Sequence, residues 1–240
     1  MDGRYAGSIA LVTDCLVIAV DGPAGSGKSS AARGVARGLG LRYLDTGAMY
    51  RALTWWMLSR GVPVGTPEAV ARHAQQPVIE VSTDPGRPAV SVDGTDVTAQ
   101  IRTREVSNAV SAVASVSEVR GRLVAMQQAI IALACADGAG IVAEGRDIGT
   151  VVAPDAPVKV YLTASESIRA ERRSADLAAD PAATVARTQA EQQRRDRADA
   201  AQMAKAPDAV LIDTTPLNLD EVIRVIVSLA RDRADAAWSR

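Results

Sequence analysis

Apolar residues fall along this chain in short blocks. Positions 16–20, Leu16-Val17-Ile18-Ala19-Val20, form an unbroken apolar run that stops at Asp21-Gly22. A run of this length is the pattern of a strand covered on both faces, as in a parallel sheet. Three further blocks read the same way, at 140–143, 158–162 and 209–213. Between them the period becomes helical. Positions 28–39 are periodic and end at Gly40, a residue suited to a left-handed C-cap, and a second amphipathic helix is predicted from about 219 to 231. Strands separated by helices predict an α/β fold on a doubly wound parallel sheet.

Two segments break that rhythm. Positions 77–98 alternate, turn at Asp84-Pro85-Gly86 and alternate again through Ala89-Val90-Ser91-Val92. This predicts an antiparallel hairpin inserted into the α/β core, followed by a long helix over 103–136. The second segment, 165–206, is rich in Ala, Arg, Asp and Gln and poor in large apolar residues. Composition alone leaves it open between a solvated helical face and a lid that closes over substrate.

Composition narrows the picture little. Of 240 residues, 48% are hydrophobic and 23% charged, which is ordinary globular usage. A net charge of -1 argues against a nucleic-acid or anionic-membrane partner held by bulk charge. The apolar runs fall short of the ~18 residues that a membrane span needs. Positions 1–15 carry Asp2 and lack a basic region leading into a signal-type apolar run, so they are expected to be an extension of a cytoplasmic protein. Cys15 and Cys135 make no disulfide framework and match no metal spacing, and both are expected to be buried small apolar residues. Trp55 and Trp56 are expected to pack in the core and against the insert, and His73 to face solvent. Only three of the 27 cationic residues are lysines, and one of those, Lys28, stands in the sharpest motif of the chain.

That motif is Gly22-Pro23-Ala24-Gly25-Ser26-Gly27-Lys28-Ser29, continued by Ser30, between a predicted strand and a predicted helix. It fits G-x-x-x-x-G-K-[ST]. The glycines let backbone N–H groups converge on an anion, and the helix N-terminus adds its dipole. Lys28 would reach the β- and γ-phosphates and the Ser29 hydroxyl would ligate Mg²⁺, mostly in company with ATP phosphates. A GTPase, a motor and a small-molecule kinase all use such a loop. No N/T-K-x-D motif is present, and 240 residues leave little room for a motor, so a kinase is favoured.

The acceptor side offers arginines rather than a base. Asp45-Thr46-Gly47-Ala48-Met49-Tyr50-Arg51 would start a helix at Thr46. Glu144-Gly145-Arg146-Asp147-Ile148-Gly149 directly follows a predicted strand, and ligands of open parallel sheets gather at the carboxyl ends of strands. Arg195, Asp199 and Gln202 would share one helical face, and Arg169, Arg172 and Arg173 another. Transfer between two phosphates needs no general base, because the attacking oxygen is already anionic. Guanidinium forks suit that chemistry.

Taken in order, these segments resemble bacterial cytidylate kinases, from about 16 to 231. The D-T-G-A-M-Y-R and E-G-R-D-I-G-T-V-V segments, with Val106-Ser107-Asn108-Ala109-Val110-Ser111 and Val119-Arg120 between them, carry the resemblance. It implies a P-loop kinase core (16–60, 137–164 and 207–240), an antiparallel β-containing monophosphate-binding region (61–136) and a helical lid (165–206), acting as a monomer. The implied reaction is transfer from ATP to CMP or dCMP with Mg. Lys28, Arg51, Arg146 and Arg195 would be the catalytic groups. Arg51 and Arg146 would hold the acceptor phosphate, and Ser111, Arg120 and Asp147 would read cytosine. Asp199 with Arg195 would contact the ribose, and Asp45, Thr46 and Tyr50 would complete the CMP site.

One departure stands out. The family's lid pattern R-D-x-x-D-x-x-R reads here Arg195-Asp196-Arg197-Ala198-Asp199-Ala200-Ala201-Gln202, with a neutral amide in the last place. Arg194 or Arg197 is a candidate substitute. Two other readings therefore stay open: a kinase of another small acceptor such as UMP or shikimate, and a nucleotide-binding protein with weakened catalysis.

Overall fold

The computed structural model describes residues 15–176 and 184–238. The expected extension at 1–14, positions 177–183 of the expected lid and the last two residues lie outside the described residues. The first apolar block forms β1 (Val17–Asp21), and the periodic segment after the P-loop forms α1 (Lys28–Leu39), closed by Gly40 at φ 67°. The blocks further on form β6 (Ile141–Gly145), β7 (Val158–Thr163) and β8 (Val210–Asp213). A short strand that the apolar pattern does not single out, β2 (Arg42–Asp45), joins them. The five strands are parallel, in the order β2-β6-β1-β7-β8.

Pairing places Asp21 beside Gly145 and Asp45 beside Glu144, so the strands end at one rim. The three segments singled out in the sequence leave the sheet there. β1 shows why its run is unbroken. Ile18 and Val20 pack with α1 and α8 (Leu219–Trp238), whereas Val17 and Ala19 face the core of α2 (Thr46–Ser59) and α5 (Ser117–Ala136). Period-two side chains thus meet two separate cores.

The insert is a three-stranded antiparallel sheet, β3 (Ile79–Val81), β4 (Val90–Val92) and β5 (Thr95–Asp96). The expected turn is present, with Gly86 N donating to Asp84 Oδ1 at 2.6 Å. The extra strand follows a second turn at Asp93-Gly94, both at positive φ, the Asp-Gly signal of a tight hairpin. A short helix, α3 (Pro67–His73), precedes it, with Pro67 in the first turn.

Four expectations are corrected. The block at 209–213 is not covered on both faces: β8 is an edge strand, with Val210 39% and Leu211 59% exposed. The helix over 103–136 is two helices, α4 (Arg104–Ala114) and α5. Ser115 Oγ donates back to the Ala112 carbonyl at 2.8 Å and Val116 is extended, which ends the first helix. His73 is half-buried: its Nδ1 lies 2.6 Å from the Ala69 carbonyl and its ring stands 6.5 Å from the buried Trp56. Cys15 and Cys135 are joined in a disulfide across 120 residues, with Cα atoms 5.0 Å apart. The cause is the β1–β6 pairing, which sets the residues before β1 against the end of α5. By length and composition α5 is apolar enough to cross a membrane, but Val119, Leu123 and Ile131 pack it into the core. Trp56 lies in the core and donates Nε1 to Asp93 of the insert at 2.8 Å.

Candidate active site

The chain leaves β1 at Asp21 and turns at Gly22, φ 145°, where a Cβ would lie 2.1 Å from the Leu162 carbonyl oxygen. Only glycine fits that approach. Gly27, φ 88°, then opens α1, so the loop wraps the helix N-terminus. Lys28 Nζ donates to the Pro23 carbonyl at 2.8 Å, across the mouth of the loop. Ala24, Gly25, Gly27, Lys28, Ser29 and Ser30 line a cleft of about 640 Å³. Gly22, Pro23 and the fully buried Ser26 lie beneath that surface.

The acceptor side of the same cleft comes from the neighbouring strand ends. Asp45 caps α2, accepting from Ala48 N at 2.9 Å, and the helix then presents Tyr50 and Arg51 to the cleft. Thr46 also borders it, but its hydroxyl donates to the Glu144 carbonyl at 2.7 Å and serves to tie β2 to β6. Arg146 and Asp147 follow β6. Asp147 pairs with Arg120 of α5, and Ser111 of α4 borders the same region. The Ser111 hydroxyl is buried without a hydrogen-bond partner, a costly state that a polar ligand would relieve, whereas the buried Tyr50 hydroxyl has the Gln127 side chain beside it.

The lid helices α6 (Glu166–Asp176) and α7 (Val185–Asp199) supply the remaining wall. Arg195 and Asp199 reach the cleft, yet Asp199 pairs with Arg146 at 3.1 Å, and Asp196 stands 3.6 Å from the same guanidinium. Gln202 also lines the cleft, from a 3₁₀ turn after α7 rather than from its face. Arg194 and Arg197 are exposed and absent from that wall. The other arginine triplet diverges. Arg169 bonds Asp196 at 2.6 Å and Arg172 bonds the Thr214 hydroxyl at 2.9 Å, while Arg173 borders the cleft.

Electrostatics mark this as a prepared anion site. Burial, then the Arg195 and Arg173 charges, push the Arg51 guanidinium below its ordinary value. Burial and then Arg146 do the same to Arg195. A guanidinium stays protonated in a protein, so these shifts register repulsion that a bound anion relieves. Burial and then Arg146 also lower Lys28, against Glu144 and Asp21.

Glu144 lies inside a segment singled out in the sequence, yet only the fold shows it as a site residue. It is 3% exposed, accepts from the Tyr43 hydroxyl at 2.6 Å, and is raised by burial and then by Asp45. Asp21, also missed, is buried and accepts from the N–H groups of Ile148 and Gly149 at 2.8 Å each, locking β1 to the turn after β6. For Mg²⁺ the fitting donors are the Ser29 hydroxyl and the Glu144 carboxylate beside it. Among the described residues no cluster of three acidic, His or Cys side chains offers a complete cage.

Sequence relatives give the same direction. The family model described as "Cytidylate kinase" matches residues 18–232. A cytidylate kinase of Streptomyces griseus subsp. griseus is 50% identical over 92% of this chain and 95% of its own length. One from Mycolicibacterium paratuberculosis is 46% identical over 92% and 98%. Among solved structures, a gluconokinase from Sinorhizobium meliloti 1021 superposes with a TM-score of 0.49 at 18% identity, covering 93% of this chain and 95% of that one.

Proposed function

The chain belongs to the cytidylate kinase family, and on that premise we propose that it transfers the γ-phosphoryl group of ATP to CMP or dCMP, giving ADP and CDP or dCDP. The observation that carries the reading is the meeting, in one cleft, of a triphosphate loop, a guanidinium cluster and the Arg120–Asp147 pair. An oxygen of the acceptor phosphate attacks the γ-phosphorus as the bond to the β,γ-bridging oxygen breaks, and no proton has to move. Lys28 holds the donor phosphates, while Arg51 and Arg146 hold the acceptor phosphate in line with them. For Arg146 this requires exchanging Asp199 for phosphate, and Asp199 with Arg195 is then placed for the ribose. Ser29 and Glu144 would hold magnesium, which would supply charge neutralisation at the donor phosphates.

Asp147 accepts from the exocyclic amine of cytosine and Arg120 donates to its ring carbonyl and N3. Uracil would put its C4 carbonyl against the Asp147 carboxylate, which disfavours UMP. Ser111 supplies a buried hydroxyl that a base would satisfy. In this reading the insert region 61–136 holds the monophosphate and 165–206 is the lid. The protein works as a monomer in cytoplasmic pyrimidine metabolism, on small nucleotides rather than nucleic acid or membrane. Its net charge of -1 supports that choice of partners.

The test is ADP formation from ATP and Mg²⁺ with CMP, dCMP, UMP, AMP and GMP in parallel. Turnover confined to CMP and dCMP, and abolished in Lys28→Ala and Arg146→Ala, is the expected result. Normal turnover in both variants sinks the mechanism, and a preference for another monophosphate sinks the substrate assignment.

A further inference from the structure

Three arginines of the cleft, Arg33, Arg102 and Arg173, stand outside the acceptor motifs; Arg33 turns to the Pro85 carbonyl and Arg102 to Asp45, and of the three only Arg173 comes from the lid. Arg173, on lid helix α6, borders it together with Arg51, Arg146 and Arg195. Among its contacts is Ser107 of α4, a buried hydroxyl that accepts from Arg173 Nη2 at 3.3 Å and from Arg51 Nη1 at 2.8 Å. One oxygen thus places a lid arginine and an acceptor-side arginine side by side, although 66 and 56 positions separate them from Ser107. Two like charges at one hydroxyl repel. An anion with several oxygens turns that repulsion into binding.

Gln202 stands on the same wall and brings no charge. Of the cations around it in the lid sequence, Lys205, Arg197 and Arg194 are exposed, and Lys205 Nζ donates to the Ala206 and Ala209 carbonyls. Two negatively charged substrates brought together in this cleft leave a charge deficit that Arg173 is placed to fill.

We propose that Arg173, held beside Arg51 by Ser107, is a phosphate-binding residue of this enzyme and supplies the lid charge that Gln202 does not. The inference rests on the phosphotransfer reading above. In the transfer step the acceptor oxygen forms its bond to the γ-phosphorus, the β,γ-bridging oxygen departs on ADP, and Arg173 only donates hydrogen bonds. Ser107 acts through the two arginines and is a positioning residue.

The experiment is steady-state kinetics with ATP and CMP on Arg173→Ala, Arg173→Lys, Ser107→Ala, Ser107→Thr and Gln202→Arg, and on Arg173→Ala combined with Gln202→Arg. Circular dichroism melting checks each fold. Arg173→Ala is expected to lose roughly 100-fold or more in kcat, by the scale of transition-state arginines. Arg173→Lys, a point charge without the fork, regains only part of that. Gln202→Arg restores the Arg173→Ala background at least tenfold. Ser107→Ala is expected to lower kcat by about tenfold more than it changes the KM for CMP, and Ser107→Thr to stay near parent.

Arg173→Ala turning over within threefold of parent overturns the proposal, and so does a double variant no faster than Arg173→Ala. Equal kcat in Ser107→Ala and parent removes the positioning role. If the parent turns over no monophosphate, the proposed function itself fails, and Arg173 is judged by calorimetric titration with ATP. Binding tenfold weaker in Arg173→Ala, with the exposed Arg197→Ala unchanged, upholds its phosphate role; equal affinity in all three overturns it.

Discussion

Glu144 sits where burial opposes its charge. Its carboxyl is raised by desolvation first and by Asp45 second, with Lys28 and the hydrogen bonds from Ser29 and Tyr43 pulling the other way. A raised carboxyl binds more protons in the folded than in the unfolded chain. Stability of the nucleotide-free protein must therefore fall as pH climbs from the ordinary glutamate value of 4.5 towards neutrality. Asp21 shifts the same way through its own burial. Lys28 is lowered, so its contribution runs opposite, and stability recovers as pH rises on the alkaline side. Glu144→Gln keeps an acceptor for Tyr43 and removes the charge. Thermal denaturation from pH 4.5 to neutrality is expected to show a shallower fall in the variant, with a gain on the order of 1 kcal/mol at neutral pH. Identical slopes in variant and parent would show that Glu144 is not the titrating group.

At the scale of elements, helix starts do the aiming. α2 begins at a residue that ends one strand, caps the helix and faces the cleft, so Tyr50 and Arg51 inherit their directions from Asp45. Asp45→Ala removes the acceptor for Ala48 N and is expected to cost about 1 kcal/mol, whereas Asp45→Asn keeps the cap and costs a few tenths. Urea unfolding of the two variants separates them, and equal losses would mean that the carboxylate acts by charge rather than as a cap. The lid docks by the same economy of contacts. Arg104 at the start of α4 pairs with Glu191 of α7 at 2.9 Å, which brings the lid wall towards the acceptor arginines. Helix boundaries were legible where a cap or glycine marked them, as at Gly40 and Thr46. They were illegible at 115–116, where a buried Val116 continues the apolar pattern while its backbone leaves the helix.

At the scale of the whole molecule, the Cys15–Cys135 bond fastens the start of the central strand to the end of α5. Closing a loop of 120 residues constrains the unfolded chain, and such bonds commonly contribute about 2–4 kcal/mol. Reductant is expected to lower the urea midpoint of the parent by a corresponding amount and to leave a Cys15→Ser, Cys135→Ser variant unmoved. A parent indifferent to reductant would show that the bond adds nothing to stability. What the sequence determined by itself was whatever is written locally: the phosphate loop in eight consecutive residues, β1 with β6, β7 and β8 in their apolar runs, and the two insertions in a change of period. Those features need only neighbours along the chain, because backbone geometry and side-chain periodicity are short-range. The tertiary structure alone decided the disulfide, the burial of Glu144 beside Lys28, the exchange of Asp199 onto Arg146, and the meeting of Arg51 with Arg173 at Ser107. Each of these joins residues far apart in sequence. They come together only because the parallel strand order and the docked lid bring distant chain ends to one rim, and no local pattern encodes that distance.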